Sequence, residues 1–443
     1  MTAMTLFQTR RKTLLEKLPE NSVAFIASGE EKIRNRDVEY EFRAESDFYY
    51  LTGFAEPDAV LLLMKCDDSS EAAQQSVLFL RPKDEEQEIW QGRRLGVDKA
   101  PDMLKIDQAW SIDDFEDKVP ELIEGMECLF FTFAQLSEWS DLASSWIQAQ
   151  KAKARKGVQA PTQLQDLDAI LHEMRVIKSD EEIDWMRQAA QISVKGHLAA
   201  MRSVAPGKYE YQVQSDLENT FKQNGSPRVA FNTIVAGGEN ACVLHYTENT
   251  ALIQEGMLVL VDAGAEYASY AGDITTTFPA NGRFSEPQAA LYEIVLAAQQ
   301  AAIEVIQPGV HYDVMHQAAA RVLTQGLVRL RILQGEVDQL IEEGVYKRFF
   351  MHGTGHWLGM DVHDVGRYKH QGEWRTLQPG MVITVEPGVY IPTDCTEVDA
   401  QYRGIGIRIE DDVVVTETGH DVLTTGLPRT VAEIEQWMAQ NRD

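Results

Sequence analysis

Two stretches of this chain echo one another in a way that few folds accommodate. They are Gly256-Met257-Leu258-Val259-Leu260-Val261-Asp262 and Gly380-Met381-Val382-Ile383-Thr384-Val385-Glu386. Each opens on glycine-methionine, continues as an apolar run of strand length and stops on a carboxylate. A second pair lies upstream of the first. Pro206-Gly207 precedes a helical stretch from Tyr211 to about Gln223, and Pro308-Gly309 precedes another from Tyr312 to about Leu330. A duplicated half would set equivalent strands face to face, with an acid from each half at the junction. A carboxylate at the end of an apolar run loses hydration and needs a counter-charge.

Three further residues join Asp262 and Glu386. Asp273 opens the strand-like Ile274-Thr275-Thr276-Thr277-Phe278, and Glu410 closes Ile405-Gly406-Ile407-Arg408-Ile409. His356 sits inside His352-Gly353-Thr354-Gly355-His356-Trp357-Leu358-Gly359-Met360-Asp361-Val362-His363-Asp364. All five are expected on strands or strand edges, with Thr275 holding the Asp273 carboxylate and Arg408 pairing with Glu410. The glycines of the histidine segment let backbone approach a site closely, and its histidines supply one ligand and two hydrogen-bonding or proton-carrying partners. Four carboxylates and one imidazole are a hard donor set suited to two divalent ions, whereas a single structural zinc favours cysteine. Two ions about 3.5–4 Å apart form a hydrolytic centre.

A chain of 443 residues exceeds one ordinary core, and two domains are expected, 1–175 and 176–443. The first is read as α/β, with strands at residues 59–64 and 77–80 and a helix after Pro161 reaching about Ile177. Ser179 and Glu182 have capping-box spacing and open the second domain with a helix carrying Ile183, Met186 and Ala190 on one face. The formal charge of −28 excludes nucleic acid and an anionic membrane as partners. The short run Lys151, Lys153, Arg155, Lys156 is read as a solvated face. Four scattered cysteines without a CxxC pair indicate free thiols, and Met1 to Leu18 contains no apolar signal core, so a cytoplasmic location is expected.

With the spaced Asp, Asp, His, Glu and Glu, the histidine segment resembles the proline-peptidase branch of the pita-bread metallopeptidases. The match to bacterial-type aminopeptidase P covers nearly the whole chain. It includes Arg34-Asn35-Arg36-Asp37, the segment Phe42 to Phe54, Trp90-Gln91-Gly92-Arg93-Arg94-Leu95-Gly96, Phe231 to Val235 and Glu239 to Tyr246. The resemblance implies an α/β N-terminal domain followed by an α+β pita-bread catalytic domain with an internal pseudo-twofold repeat. It implies hydrolysis of the bond between any first residue and a proline in second position. Two divalent ions, manganese by preference, are implied at Asp262, Asp273, His356, Glu386 and Glu410, with Glu386 also the general base. His245 and His363 are implied to bind substrate and steady the tetrahedral intermediate, His352 to line the proline pocket, and Arg408 to orient carboxylates. Trp90 is similar to a tryptophan that reaches a neighbouring subunit's active site in a dimer of dimers. Two alternatives share the resemblance: a prolidase confined to dipeptides, including one active on organophosphorus esters, and a catalytically silent peptide-binding protein.

Overall fold

The computed structural model describes residues 3–67 and 74–441. The chain divides into two compact units, Met1–Met174 and Arg175–Asp443. In the first unit a six-stranded mixed sheet runs, edge to edge, Gln108–Ser111, Gln74–Leu80, Val60–Lys65, Ser22–Ala27, Cys128–Phe131 and Gln163–Asp166. The central Ser22–Ala27 strand pairs antiparallel with Val60–Lys65 and parallel with Cys128–Phe131. One sheet face is filled by aromatic packing, with Phe25 stacked on Phe131 at 4.8 Å and on Trp146 at 5.5 Å. Such ring pairs contribute roughly 0.5–1.5 kcal/mol each beyond the area they bury.

The strands at 59–64 and 77–80 form as the apolar runs predict. The stretch after Pro161 does not go directly into a helix. Gln163–Asp166 first adds to the sheet edge in parallel with Cys128–Phe131, and the helix follows at Asp168–Val176. Main-chain pairing at an edge needs no apolar side chain, so its polar sequence hides the strand.

The second unit opens with the helix Asp180–Ser203 and its capping box. Ser179 N–H donates to Glu182 Oε2 at 2.9 Å, and Glu182 N–H to Ser179 Oγ at 3.4 Å. Met186, Ala189 and Ala190 are buried on its inner face.

The duplication read from the sequence is present in the hydrogen bonding. Gly207 N–H donates to Ile253 O at 2.8 Å, and Gly309 N–H to Leu377 O at 2.9 Å. Ile253 N–H returns to Lys208 O, and Leu377 N–H to Val310 O, both at 2.8 Å. Gly256 (φ +77°) and Gly380 (φ +85°) make the same left-handed turn into the strands Leu258–Ala263 and Val382–Val385. Each strand then pairs antiparallel with a partner, Ile274–Pro279 in one half and Asp411–Val415 in the other. The helices of this repeat are Glu210–Gln223 and Val314–Arg329. The central strands are buried on both faces, which explains their continuous apolar sequence. Among the described residues no helix is long and apolar enough to cross a membrane.

Candidate active site

A cavity of about 520 Å³ in the second unit gathers residues from both halves of the repeat. Asp262 lies near the end of the Leu258–Ala263 strand, opposite Thr275, and Asp273 immediately precedes the Ile274–Pro279 strand. Glu386 follows Val382–Val385, and Glu410 lies between Ile405–Arg408 and Asp411–Val415. His356 departs from the strand expected for it and lies in an irregular segment. That segment is tied down on both sides: His356 N–H donates to Thr384 Oγ1 at 3.1 Å, Thr384 N–H to His356 O at 3.0 Å, and Glu386 N–H to Thr354 O at 2.7 Å. A Cβ on Gly355 would come within 1.9 Å of the Thr384 carbonyl, so only glycine permits this approach.

Asp273, His356 and Glu410 each present a donor atom, and the three lie within 4.8 Å of one another. His356 Nε2 is 3.5 Å from Asp273 Oδ2 and 3.8 Å from Glu386 Oε1. Its Nδ1 is 3.0 Å from the Trp357 carbonyl, which can only accept, so Nδ1 carries the proton and Nε2, among the carboxylates, is the nitrogen available to a metal.

Burial and mutual repulsion push the Asp273 and Glu410 carboxyls well above their usual range, and burial raises Glu386 to about 7. Arg408 is the buried cation among them, and it stays charged. Its Nη2 donates to Asp262 Oδ2 at 2.6 Å, its Nη1 to Tyr390 Oη at 3.0 Å and its Nε to Thr275 Oγ1 at 3.2 Å. Arg408 therefore pairs with Asp262 rather than Glu410. Thr275 donates to Glu410 Oε2 at 2.6 Å rather than holding Asp273, because the antiparallel register aims its hydroxyl across the sheet junction. One guanidinium cannot balance four clustered carboxylates, three of them buried, and the inner oxygen of Asp262, Oδ1, is buried without a hydrogen-bond partner. This donor set fits divalent cations.

At the His352 end, Tyr390 Oη is 2.8 Å from His352 Nε2, and His352 Nδ1 is 2.7 Å from Gly353 O. Arg408 donates to the phenol oxygen, so the phenol proton points at Nε2 and His352 is neutral with its proton on Nδ1. Burial and the nearby Arg408 lower its pKa to about 4, in keeping with that tautomer. At the other end His245 and His363 are exposed at the mouth, with the His363 ring 4.3 Å from that of His356. Partial burial, His356 and His245 lower the His363 pKa. The cavity thus brings together nine of the ten residues singled out from the sequence. Trp90 belongs to the first unit, on the helix Glu85–Gln91, and is 82% exposed.

Several residues of the site escaped sequence reading. Tyr390 is hidden in the short apolar strand Gly388–Ile391. Asp412 is buried behind the cluster and accepts from Asp273 N–H at 3.1 Å. Glu210, also buried, holds the His245 segment. Its carboxylate accepts from Gly237 N–H, Ala251 N–H and Tyr246 Oη at 2.8 Å and from Asn240 Nδ2 at 3.0 Å.

Both units of the chain resemble known proteins. Residues 7–130 match the aminopeptidase P N-terminal domain, and residues 184–417 match metallopeptidase family M24. The Xaa-Pro aminopeptidase of Haemophilus influenzae is 45% identical, covering 98% of this chain and 96% of that one. Its Escherichia coli counterpart is 44% identical, with 98% of each covered. The solved aminopeptidase PepP of Pseudomonas aeruginosa superposes with a TM-score of 0.96 at 48% identity, covering 99% of this chain and 98% of that one. Zinc-substituted E. coli aminopeptidase P in complex with product gives 0.96 at 43%, covering 100% and 99%. The two matched families together span both units at near full-length identity and fold agreement, and the chain belongs to metallopeptidase family M24.

Proposed function

We propose that the chain is a dinuclear metal aminopeptidase that releases the first residue from peptides with proline in second position. The observation carrying this reading is the surplus of carboxylate around His356, for which Arg408 is the one arginine or lysine among the described residues that line the cavity. The names of the near full-length relatives support the substrate class. Asp262, Asp273, His356, Glu386 and Glu410 would hold two ions, and the oxygen-rich set favours manganese. When bound, the ions supply Lewis-acid polarisation of the scissile carbonyl and of the attacking water.

The chain's own groups do the rest. Glu386 takes a proton from the water and passes it to the proline nitrogen as the bond breaks. That nitrogen carries no hydrogen in the peptide, so the leaving group must gain its proton from such a donor. His245 and His363, at the mouth, donate hydrogen bonds to the oxygen that gains charge. His352, held neutral by Tyr390, forms the wall against which the proline ring rests. Arg408 fixes Asp262 on one side and Tyr390 on the other. We assign Trp90 to a neighbouring subunit's site in a homo-oligomer, a dimer or tetramer, and the chain to the cytoplasm, where its unpaired cysteines remain reduced.

The test is release of glycine by manganese-loaded protein from Gly-Pro-Xaa tripeptides and from Gly-Pro, alongside metal content by mass spectrometry. Two metals per chain with tripeptide turnover support the reading. Preference for the dipeptide converts the assignment to prolidase. A metal-free, inert protein would overturn it in favour of a peptide-binding role.

A further inference from the structure

The duplication runs on past the two proline-glycine turns. Single antiparallel bridges join Tyr209 to Leu252 and His311 to Thr376. Glu210 N–H donates to Ala251 O at 3.0 Å, and Tyr312 N–H to Arg375 O at 2.9 Å. Counted from Pro206 and Pro308, Glu210 and Tyr312 therefore occupy the same position of the two halves. Their side chains differ in chemistry, yet both are buried.

In each half this side chain reaches the segment lying beside the central strand. Gly237 ends the Ile234–Gly237 strand opposite Val259. Trp357 bridges Ile383, which is the counterpart of Val259 when Gly256 is set on Gly380. The first segment leads into the loop carrying His245, and the second carries His356. All four donors to Glu210 come from residues 237–251. Its Oε1 accepts from Gly237 N–H and Asn240 Nδ2, and its Oε2 from Tyr246 Oη and Ala251 N–H. One carboxylate thus closes both ends of the loop and grips the neighbour of His245. In the other half Tyr312 Oη donates to Gly355 O at 2.5 Å, next to His356, with the Trp357 and Tyr368 rings at 4.9 and 5.0 Å. The groups to be held explain the different side chains. The first segment presents N–H and O–H donors, which a carboxylate collects, and the second presents a carbonyl, which only a donor can hold.

We propose that this repeated position supplies one positioning residue to each half, Glu210 setting His245 and Tyr312 setting His356. The assignment rests on the proposed function, in which His245 donates to the oxygen that gains charge and His356 holds an ion. The His245 side chain is exposed at the cavity mouth, so its place is set by the loop that carries it. The two braces therefore act on different steps. Loosening Glu210 misplaces a donor to the transition state and leaves the ligand set intact. Loosening Tyr312 shifts a ligand and weakens the hold on metal. Small displacements of this kind cost about 100-fold in rate where a reacting geometry is tight.

The experiment measures two quantities on wild type, Glu210→Gln and Tyr312→Phe. One is kcat/KM for Ala-Pro-Ala at saturating manganese, and the other is manganese affinity by calorimetric titration of the metal-free protein. Glu210→Gln keeps the shape but turns an NH2 group against donors. It is expected to lower kcat/KM by about 10–100-fold with manganese affinity unchanged. Tyr312→Phe is expected to weaken manganese binding by about 10–100-fold, with kcat/KM returning toward wild type as manganese is raised. Repeating Glu210→Gln in a His245→Ala background should abolish most of its effect, because the two residues act as one unit. Tyr246→Phe deletes one of the four bonds and keeps the ring, so it tests the first brace even where Glu210→Gln disturbs folding. It should show the same pattern at smaller size. Three results would overturn the assignment while wild-type turnover stands. They are kcat/KM and metal affinity falling together in both variants, a Glu210→Gln loss undiminished without His245, and wild-type metal affinity in Tyr312→Phe. A wild type that neither binds manganese nor cleaves the tripeptide overturns the peptidase reading, and the braces fall with it.

Discussion

Replacing Tyr390 by phenylalanine removes one oxygen from a fully buried position and leaves the ring in place. That oxygen accepts from Arg408 at 3.0 Å and donates to His352 at 2.8 Å. A hydrogen bond to a charged group contributes about 1.5–3 kcal/mol, and a neutral one about 0.5–1.5 kcal/mol. Burial holds the phenol pKa up at about 12, so in the wild type the donor proton is present throughout the working range. Without it, His352 loses the donor to Nε2, and the Gly353 carbonyl at 2.7 Å from Nδ1 is the hydrogen bond left to orient the ring. Part of the lost energy falls on folding and part on the transition state. We expect kcat/KM for an Xaa-Pro tripeptide to drop about 10–100-fold, or about 1.4–2.8 kcal/mol. No proposed metal ligand changes, so metal content should stay at the wild-type level. Steady-state kinetics and metal analysis on the same preparation decide the matter. Wild-type kcat/KM, or a loss of activity tracking a loss of metal, would refute the link from Arg408 through Tyr390 to His352.

Other expectations follow from the same geometry. Glu386→Gln keeps the shape but cannot carry the proton, so kcat on Ala-Pro peptides should fall by at least about 100-fold. Chelation leaves the clustered carboxylates facing Arg408 alone, so the metal-free protein should melt at a lower temperature, and excess manganese should restore both melting point and activity. His197 is buried between Thr276 Oγ1 at 2.8 Å and Ala263 O at 3.0 Å, and burial lowers its pKa to about 4. Its folded pKa lies below the unfolded value, so its contribution is complete above about pH 6.5 and is lost as pH falls toward 4, with a slope of up to about 1.4 kcal/mol per pH unit. Thermal melts across that window should show weaker acid sensitivity in His197→Gln. Asp364 binds Arg175 at 2.6 Å and Lys178 at 2.9 Å deep in the second unit. Asp364→Ala strands buried positive charge and should cost about 3–5 kcal/mol, read as a lower melting temperature.

The parts of the site legible in the sequence were those that local pattern constrains. Asp262 and Glu386 stand at matching ends of a repeated apolar run, and a buried acid in that position needs compensation whatever the tertiary contacts. The histidine segment announced itself by glycine spacing, and Gly355 against Thr384 shows the reason. Pairings between distant residues were not legible. Arg408 was expected on Glu410, two positions away, but its partner Asp262 is 146 residues distant. Thr275 was misassigned for the same reason, since alternation along one strand says nothing about which neighbouring segment its hydroxyl meets. Glu210 lies just outside the helical stretch read from Tyr211 and carries no signal of its own, and only the fold reveals the four donors around it. Tyr390 looked like ordinary core.

The two halves of the repeat close on one another late in the chain, and this sets a schedule during synthesis. Thr275 meets Glu410 across 135 residues. At about 5–20 residues per second, a ribosome needs roughly 7–27 s to travel from one to the other. Until the end of that interval the first half carries Asp262 and Asp273 without the Arg408 and Glu410 that complete the cavity. A nascent chain is therefore inert toward the amino termini emerging beside it, its own included, and becomes competent only when the last strands dock.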